Sequence, residues 1–338
     1  MRRKVQQLGS STKAVSLPSE WIREHEIEKG DVLRGQADEH TGSLLLLPAE
    51  YPDNGIAATV DADAITVDML EHIVIANYIL GRQTIRVTGS STLPSEFAAC
   101  IVDLEQQLMG LGVVEQSPNQ LEIRCSVAPD DFELNSLLER LWRTEALIRE
   151  NAIETLINPN SGGNAMTSNY KRQADKLFYL FLRLLFTTYR NPHLNSSMGL
   201  KTGFPLIGYR SVAQDLVLMT DCTARIIDAP IDYEQIDTTM IGVIEEAATA
   251  LNQAVTDAQA VVTNPSIKAS KSAHQSLKAA TDALDAAQTH LETERPEPIL
   301  RLQQLLSTLR EVSVYASDTV EVGTNLAARE VSTIKTES

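Results

Sequence analysis

Apolar and polar residues alternate along the start of the chain with a period of two. Lys4–Leu8 and Lys13–Leu17 flank a Gly9-Ser10-Ser11-Thr12 turn, which predicts a β-hairpin. Pro18 stands where a helix begins, and Ser19–His25 is long enough for two turns. After a turn at Gly30-Asp31, Val32–Ala37 and Ser43–Leu47 predict a second strand pair around His40-Thr41-Gly42.

After Tyr51–Gly55 the pattern restarts. Ile56–Val60 and Thr84–Val87 read as strands, and Val113–Glu115 with Gln120–Cys125 as a hairpin over Ser117-Pro118-Asn119. Val67–Leu80 is a helix with Leu70, Ile73, Val74 and Tyr78 on one side, stopped by Gly81. A second helix opens at Leu93-Pro94-Ser95 and runs to Met109 before Gly110. These elements predict helices over a mostly antiparallel sheet.

From Pro129 onward the period is helical. Asp130-Asp131 caps a helix to Asn158 whose apolar stripe is Leu134, Leu138, Leu141, Ile148, Ala152 and Leu156. Asn158–Asn164 is a loop, Thr167–Tyr189 a second helix, Pro192–Pro205 a connection and Tyr209–Ile227 a third helix, ended by Asp228-Ala229-Pro230. The scheme then recurs as Asp232–Val262, Ile267–Glu292 and Ile299–Ala328. Two readings of this half stand: a tandem pair of three-helix sets, or one elongated six-helix bundle. The expected organisation is multidomain: a β-rich unit at 1–50, an α+β linker or dimerisation domain at 51–128, all-α three-helix repeats at 129–229 and 230–328, and a tail at 329–338.

Charge sharpens the first unit. The chain carries a formal net charge of −16, yet its first 14 residues hold Arg2, Arg3, Lys4 and Lys13 and no acid. A basic tip on an acidic body is what contact with a phosphate backbone requires, because each neutralised phosphate releases counterions. Only 10 of the 29 cations are lysine, a composition resembling that of salt-loving archaea. No apolar stretch follows the basic first residues, Ile73–Leu80 is too short to span a bilayer, and Leu177–Phe186 is interrupted by Arg183. A cytoplasmic protein without stable membrane insertion is therefore expected.

Chemistry-bearing motifs are absent from the sequence. The three cysteines, Cys100, Cys125 and Cys222, are far apart and form no CxxC pair. The six histidines make no HExxH, no GxSxG occurs, and Gly89-Ser90-Ser91 lacks the lysine of a phosphate loop. Neither catalysis nor a cofactor is expected.

Val5-Gln6, Gly9, Val15-Ser16-Leu17-Pro18, Trp21, Lys29-Gly30-Asp31 and Gly42-Ser43-Leu44 together resemble the SpoVT/AbrB family of swapped-hairpin DNA-binding domains. The resemblance implies two chains interleaving their hairpins into one body that presents basic residues to double-stranded DNA. A unit this small buries too little surface to be stable alone, which independently calls for a homodimer. The candidate DNA contacts are Arg2, Arg3, Lys4, Ser11, Thr12 and Lys13. Arginine can read guanine edges, the lysines position the backbone, and the turn hydroxyls donate to phosphate oxygens.

Phe132–Leu156, Asp175-Lys176-Leu177-Phe178-Tyr179, Tyr209-Arg210-Ser211-Val212-Ala213 leading to Asp221, and Thr308–Val322 resemble PhoU, a regulator of phosphate uptake. Asn77–Gly81 with Thr84-Ile85 resembles the linker of archaeal proteins that join a PhoU-like half to an AbrB unit. The whole chain thus resembles a haloarchaeal AbrB–PhoU fusion regulator. That implies a transcriptional regulator of phosphate homeostasis. The alternative is an adaptor acting on a phosphate transporter or signalling protein, its AbrB unit serving only for dimerisation. PhoU proteins carry Glu-Arg-x-x-Asp on the third helix of each repeat, where the acids help hold metal. Here Val217 and Val314 replace the glutamates while Asp221 and Asp318 remain. An apolar side chain cannot ligate a hard cation, so no metal is expected.

Overall fold

The computed structural model describes residues 2–38, 42–48, 57–157, 164–190, 204–228 and 236–333. The expected turn at 40–41, the break at 51–55, the loop at 158–163, the connection at 192–203, the stop at 229–230, the helix start at 232 and the tail beyond 333 lie outside them. The chain divides into two units, Met1–Asn54 and Gly55–Ser338.

In the first unit each strand pairs with its neighbour in sequence. β1 (Gln6–Leu8) pairs antiparallel with β2 (Thr12–Ala14), and β3 (Leu33–Asp38) with β4 (Ser43–Pro48), giving two separate two-stranded sheets. The first hairpin is shorter than its alternation suggests: Lys4-Val5 and Val15–Leu17 carry the pattern but no ladder. Gly9 takes φ +84° at the turn, a conformation that side chains resist. α1 (Ser19–Glu24) starts directly after Pro18, and Trp21 packs edge-on against His25.

The second unit begins with an α+β layer. β5 (Ala57–Asp61) runs parallel to β6 (Thr84–Thr88); β6 pairs antiparallel with β8 (Gln120–Cys125), and β8 with β7 (Leu111–Ser117). The parallel pair needs a crossover, supplied by α2 (Val67–Ile79). The Thr66 hydroxyl caps α2 by accepting from the Met69 N–H at 3.3 Å, and Gly81 at φ +78° ends it. α3 (Ser95–Gln107) completes the layer, and Gly110 at φ +75° follows it. Val60, Leu70, Val74, Tyr78, Ile85, Val87, Ile101 and Ile123 form its core.

The rest is helical: α4 (Leu134–Ile157), α5 (Asn164–Arg190), α6 (Phe204–Asp228), α7 (Thr238–Thr263), α8 (Ile267–Glu294) and α9 (Ile299–Thr333). Several boundaries differ from the pattern: α5 begins at Asn164, three residues before Thr167, and α7 at Thr238, after the non-helical Ile236 and Asp237, rather than at 232. Pro129-Asp130-Asp131 forms a short 3-10 turn, so α4 begins only at Leu134. α6 starts at Phe204, five residues before Tyr209, because Pro205 is tolerated in a first turn where its missing N–H has no helical acceptor. α9 runs past Ala328 to Thr333. One continuous hydrophobic core contains residues of all six helices, and Ile79, Val127 and Tyr179 pack against both it and the core of the α+β layer.

α9 crosses α7 closely. A β-carbon added at Gly323 would lie 2.5 Å from Val261 Cγ1 and 3.1 Å from the Val261 carbonyl carbon. Gly323→Ala is expected to lower stability by about 1–3 kcal/mol through this overpacking, read as a fall in the urea midpoint.

Candidate nucleic-acid interface

Arg2, Arg3 and Lys4 lead into β1 and are exposed. Ser11 follows the turn glycine, and Thr12 and Lys13 lie on β2, also exposed. The register pairs Gln7 with Lys13 and Leu8 with Thr12. Opposed residues of an antiparallel pair share a face and neighbours alternate. Lys13 and Gln7 therefore form one face of the hairpin, while Leu8 and Thr12 occupy the other. Five of the six candidates cluster at the N-terminal segment, the turn and one face; Thr12 stands apart from Lys13.

No residue between 2 and 48 whose burial is described is buried. Val32 is 70% exposed and Val5 67%, and Leu8, Val15, Leu44 and Leu45 are also exposed. These side chains come from both hairpins and the segments around α1. Among the described residues the first unit thus carries exposed apolar side chains and no buried interior of its own.

The aspartates singled out in the helical half each meet another acid. Asp221 on α6 pairs with Lys171 at 2.9 Å. Asp175 on α5 lies close enough that, after burial, the Asp221 charge pushes its carboxyl above the usual range, opposed by Lys171. Asp318 on α9 lies near Asp215 on α6, which the sequence pattern did not single out. Asp215 is buried and accepts a hydrogen bond from the Thr319 hydroxyl at 3.3 Å. Burial first, then the Asp318 charge, push its carboxyl up to about 7, against the Thr319 bond and Arg210. The two sets remain pairs: among the described residues no group of three or more Asp, Glu, His or Cys side chains is arranged to hold a metal ion. Val217 is buried and Val314 exposed.

Two further charged groups are built into the interior. Arg149 donates from Nε to Glu145 at 2.8 Å, one turn away on α4, and both are buried. Arg183 on α5 donates from Nη1 to the carbonyls of Tyr78 at 2.6 Å and Arg82 at 3.0 Å, and its guanidinium lies 4.9 Å from the centre of the Tyr78 ring. It therefore adds a charged donor at the C-terminal end of α2, where the Tyr78 carbonyl also accepts from the Gly81 N–H at 3.0 Å. Tyr78 in turn donates to the Met109 carbonyl at 3.0 Å.

The sequence matches no family model and no curated protein. Among solved structures, PhoU from Pseudomonas aeruginosa is similar at 13% identity and a TM-score of 0.33, over 58% of this chain and 95% of that one. A likeness of that size carries no weight for function. No described helix is long and apolar enough to cross a membrane.

Proposed function

We propose that this chain is a dimeric, DNA-binding transcriptional regulator, with the first unit on double-stranded DNA and the helical half receiving a signal. The observation that carries the reading is the composition of the first unit. It has exposed apolar side chains and no buried side chain among those described, which favours a second copy as the covering surface, and it also holds the exposed cations Arg2, Arg3, Lys4 and Lys13. The link to phosphate uptake rests on the residue resemblance of the helical half alone. A second reading, an adaptor that uses the first unit only to dimerise, draws on the same exposed apolar side chains without the cations.

Gel-shift titrations separate the two readings. Light scattering on the same preparation is expected to give twice the 37.1 kDa chain mass. If most of the cations of a dimer meet phosphates, the slope of log K against log salt is roughly −5 to −7. Changing Arg2, Arg3 and Lys4 together to Ala is expected to weaken binding and flatten that slope while leaving the helical circular dichroism intact. Equal binding by both proteins would remove DNA recognition from this hairpin and favour the adaptor.

A further inference from the structure

The four-stranded sheet has two edges, β5 and β7. A free edge offers unpaired N–H and C=O groups to another strand, so natural proteins guard their edges. β7 is guarded. Its register with β8 shifts between Val113 and Glu115, Glu115 adds an exposed charge, and the Glu105 carboxylate accepts from the Val113 N–H at 2.8 Å. β5 has none of these devices. Its residues pair with β6 from Ala57 to Asp61 without interruption, it carries no proline or lysine, and its one charge, Asp61, stands at the end. Among the described residues no strand lies along its other side.

The residues of β5 suit a second copy of the same strand. Val60 is buried and Ala58 half-buried, whereas Ala57, Thr59 and Asp61 are exposed, so the strand has a core side and an outer side. Two copies running antiparallel about a two-fold axis at Thr59 set Thr59 against Thr59, Ala58 against Val60 and Ala57 against Asp61. This register uses the whole strand and keeps the core sides together. Apolar side chains then meet on the core side, a hydroxyl meets a hydroxyl on the outer side, and no carboxylate faces another. Residues 49–56 separate β4 from β5, a reach of at most about 30 Å, so a dimer held by its first units keeps two β5 strands at high local concentration. We propose that β5 pairs antiparallel with β5 of a second copy, joining two four-stranded sheets into one. This deepens the dimeric reading above and rests on it, but does not depend on DNA binding.

The test uses the full-length chain with Cys100→Ser, since Cys100 is half-buried while Cys125 and Cys222 are buried. In this background Thr59→Cys places two thiols on the axis, with Cα atoms about 4.5–5.5 Å apart, inside the range a disulfide needs. Oxidation in air with copper–phenanthroline is expected to shift most of the chain from 37.1 kDa to twice that mass on a non-reducing gel. Ala57→Cys stands two residues off the axis, which separates its Cα atoms by roughly 14 Å, and is expected to keep the chain mass. Glu115→Cys on the guarded edge is expected to do the same. Thr59→Lys, at an exposed position, opposes two like charges and is expected to quicken amide exchange across residues 57–61. Light scattering on unoxidised protein separates the failures. A dimer whose Thr59→Cys form does not cross-link overturns the proposal and leaves dimerisation to the first unit, whereas a monomer overturns both. Equal cross-linking of Ala57→Cys or Glu115→Cys, or unchanged exchange in Thr59→Lys, also overturns the pairing.

Discussion

Asp215→Asn is expected to stabilise the second unit by about 2–4 kcal/mol at pH 8 and to change little at pH 4. The carboxyl sits between α6 and α9, 8% exposed, with Asp318 close by and one hydrogen bond from Thr319. Burial and the neighbouring charge hold its folded pKa at about 7, above the ordinary value of 3.8. The sign follows directly. Below 3.8 the group is protonated in both states and imposes no penalty. Between 3.8 and about 7 the unfolded chain releases the proton while the folded chain keeps it, so stability falls as pH rises. Above 7 the folded chain holds a buried carboxylate and the loss is complete. Asparagine imitates the protonated form at every pH and keeps an acceptor for Thr319, so the gap between the two proteins should open across this window. Urea midpoints of both, measured from pH 4 to pH 8, check it; parallel curves would show that Asp215 titrates like an exposed carboxylate. Asp318→Asn should narrow the same gap from the other side by removing the repelling charge.

Arg183→Ala is expected to cost about 3–4 kcal/mol. The substitution deletes a buried side chain from the junction of α5 with α2 and strips the Tyr78 and Arg82 carbonyls of their charged donor. Methionine at the same position fills much of the volume without donating, so Arg183→Met should recover about half of the loss, and the remainder measures the hydrogen bonds. Amide exchange should quicken at the C-terminal end of α2 in both variants and stay unchanged in α8, which lies in another part of the helical half. A change of less than ~0.5 kcal/mol in Arg183→Ala would mean that water replaces the guanidinium without penalty.

Much of this architecture is legible from local signals. Gly81 marks a helix end because only a residue without a β-carbon readily takes φ near +78°, and Gly110 marks the turn three residues beyond the end of α3. Thr66 and Ser266 mark starts because a hydroxyl three residues ahead reaches an orphan N–H. The apolar stripe of α4 correctly includes Leu134, Leu138, Leu141, Ile148 and Ala152, all buried. The same stripe misses Glu145 and Arg149, whose charges satisfy each other one turn apart inside the core. A periodicity argument assigns such residues to solvent, since it weighs each side chain alone and cannot see a partner that offsets its desolvation.

The candidate interface follows a similar division. The cluster of Arg2, Arg3, Lys4 and Lys13 is plain in the first 14 residues. Thr12 points to the face opposite Lys13 because the two are neighbours on one strand; the register adds only their partners, Gln7 opposite Lys13 and Leu8 opposite Thr12.

Sequence by itself determined the order of elements, the basic N-terminal tip and most helix ends, because turns, caps and periodicity act over a few residues. Only the tertiary structure decided the roles of Arg183 and Asp215. Arg183 reads as a break in an apolar run until α2 brings its carbonyls to it. Asp215 is an ordinary helical acid until α9 buries it beside Asp318. For Arg183 and Asp215 the free energy of the group is set by desolvation and by hydrogen-bond partners 101 to 105 residues away, which no local pattern encodes.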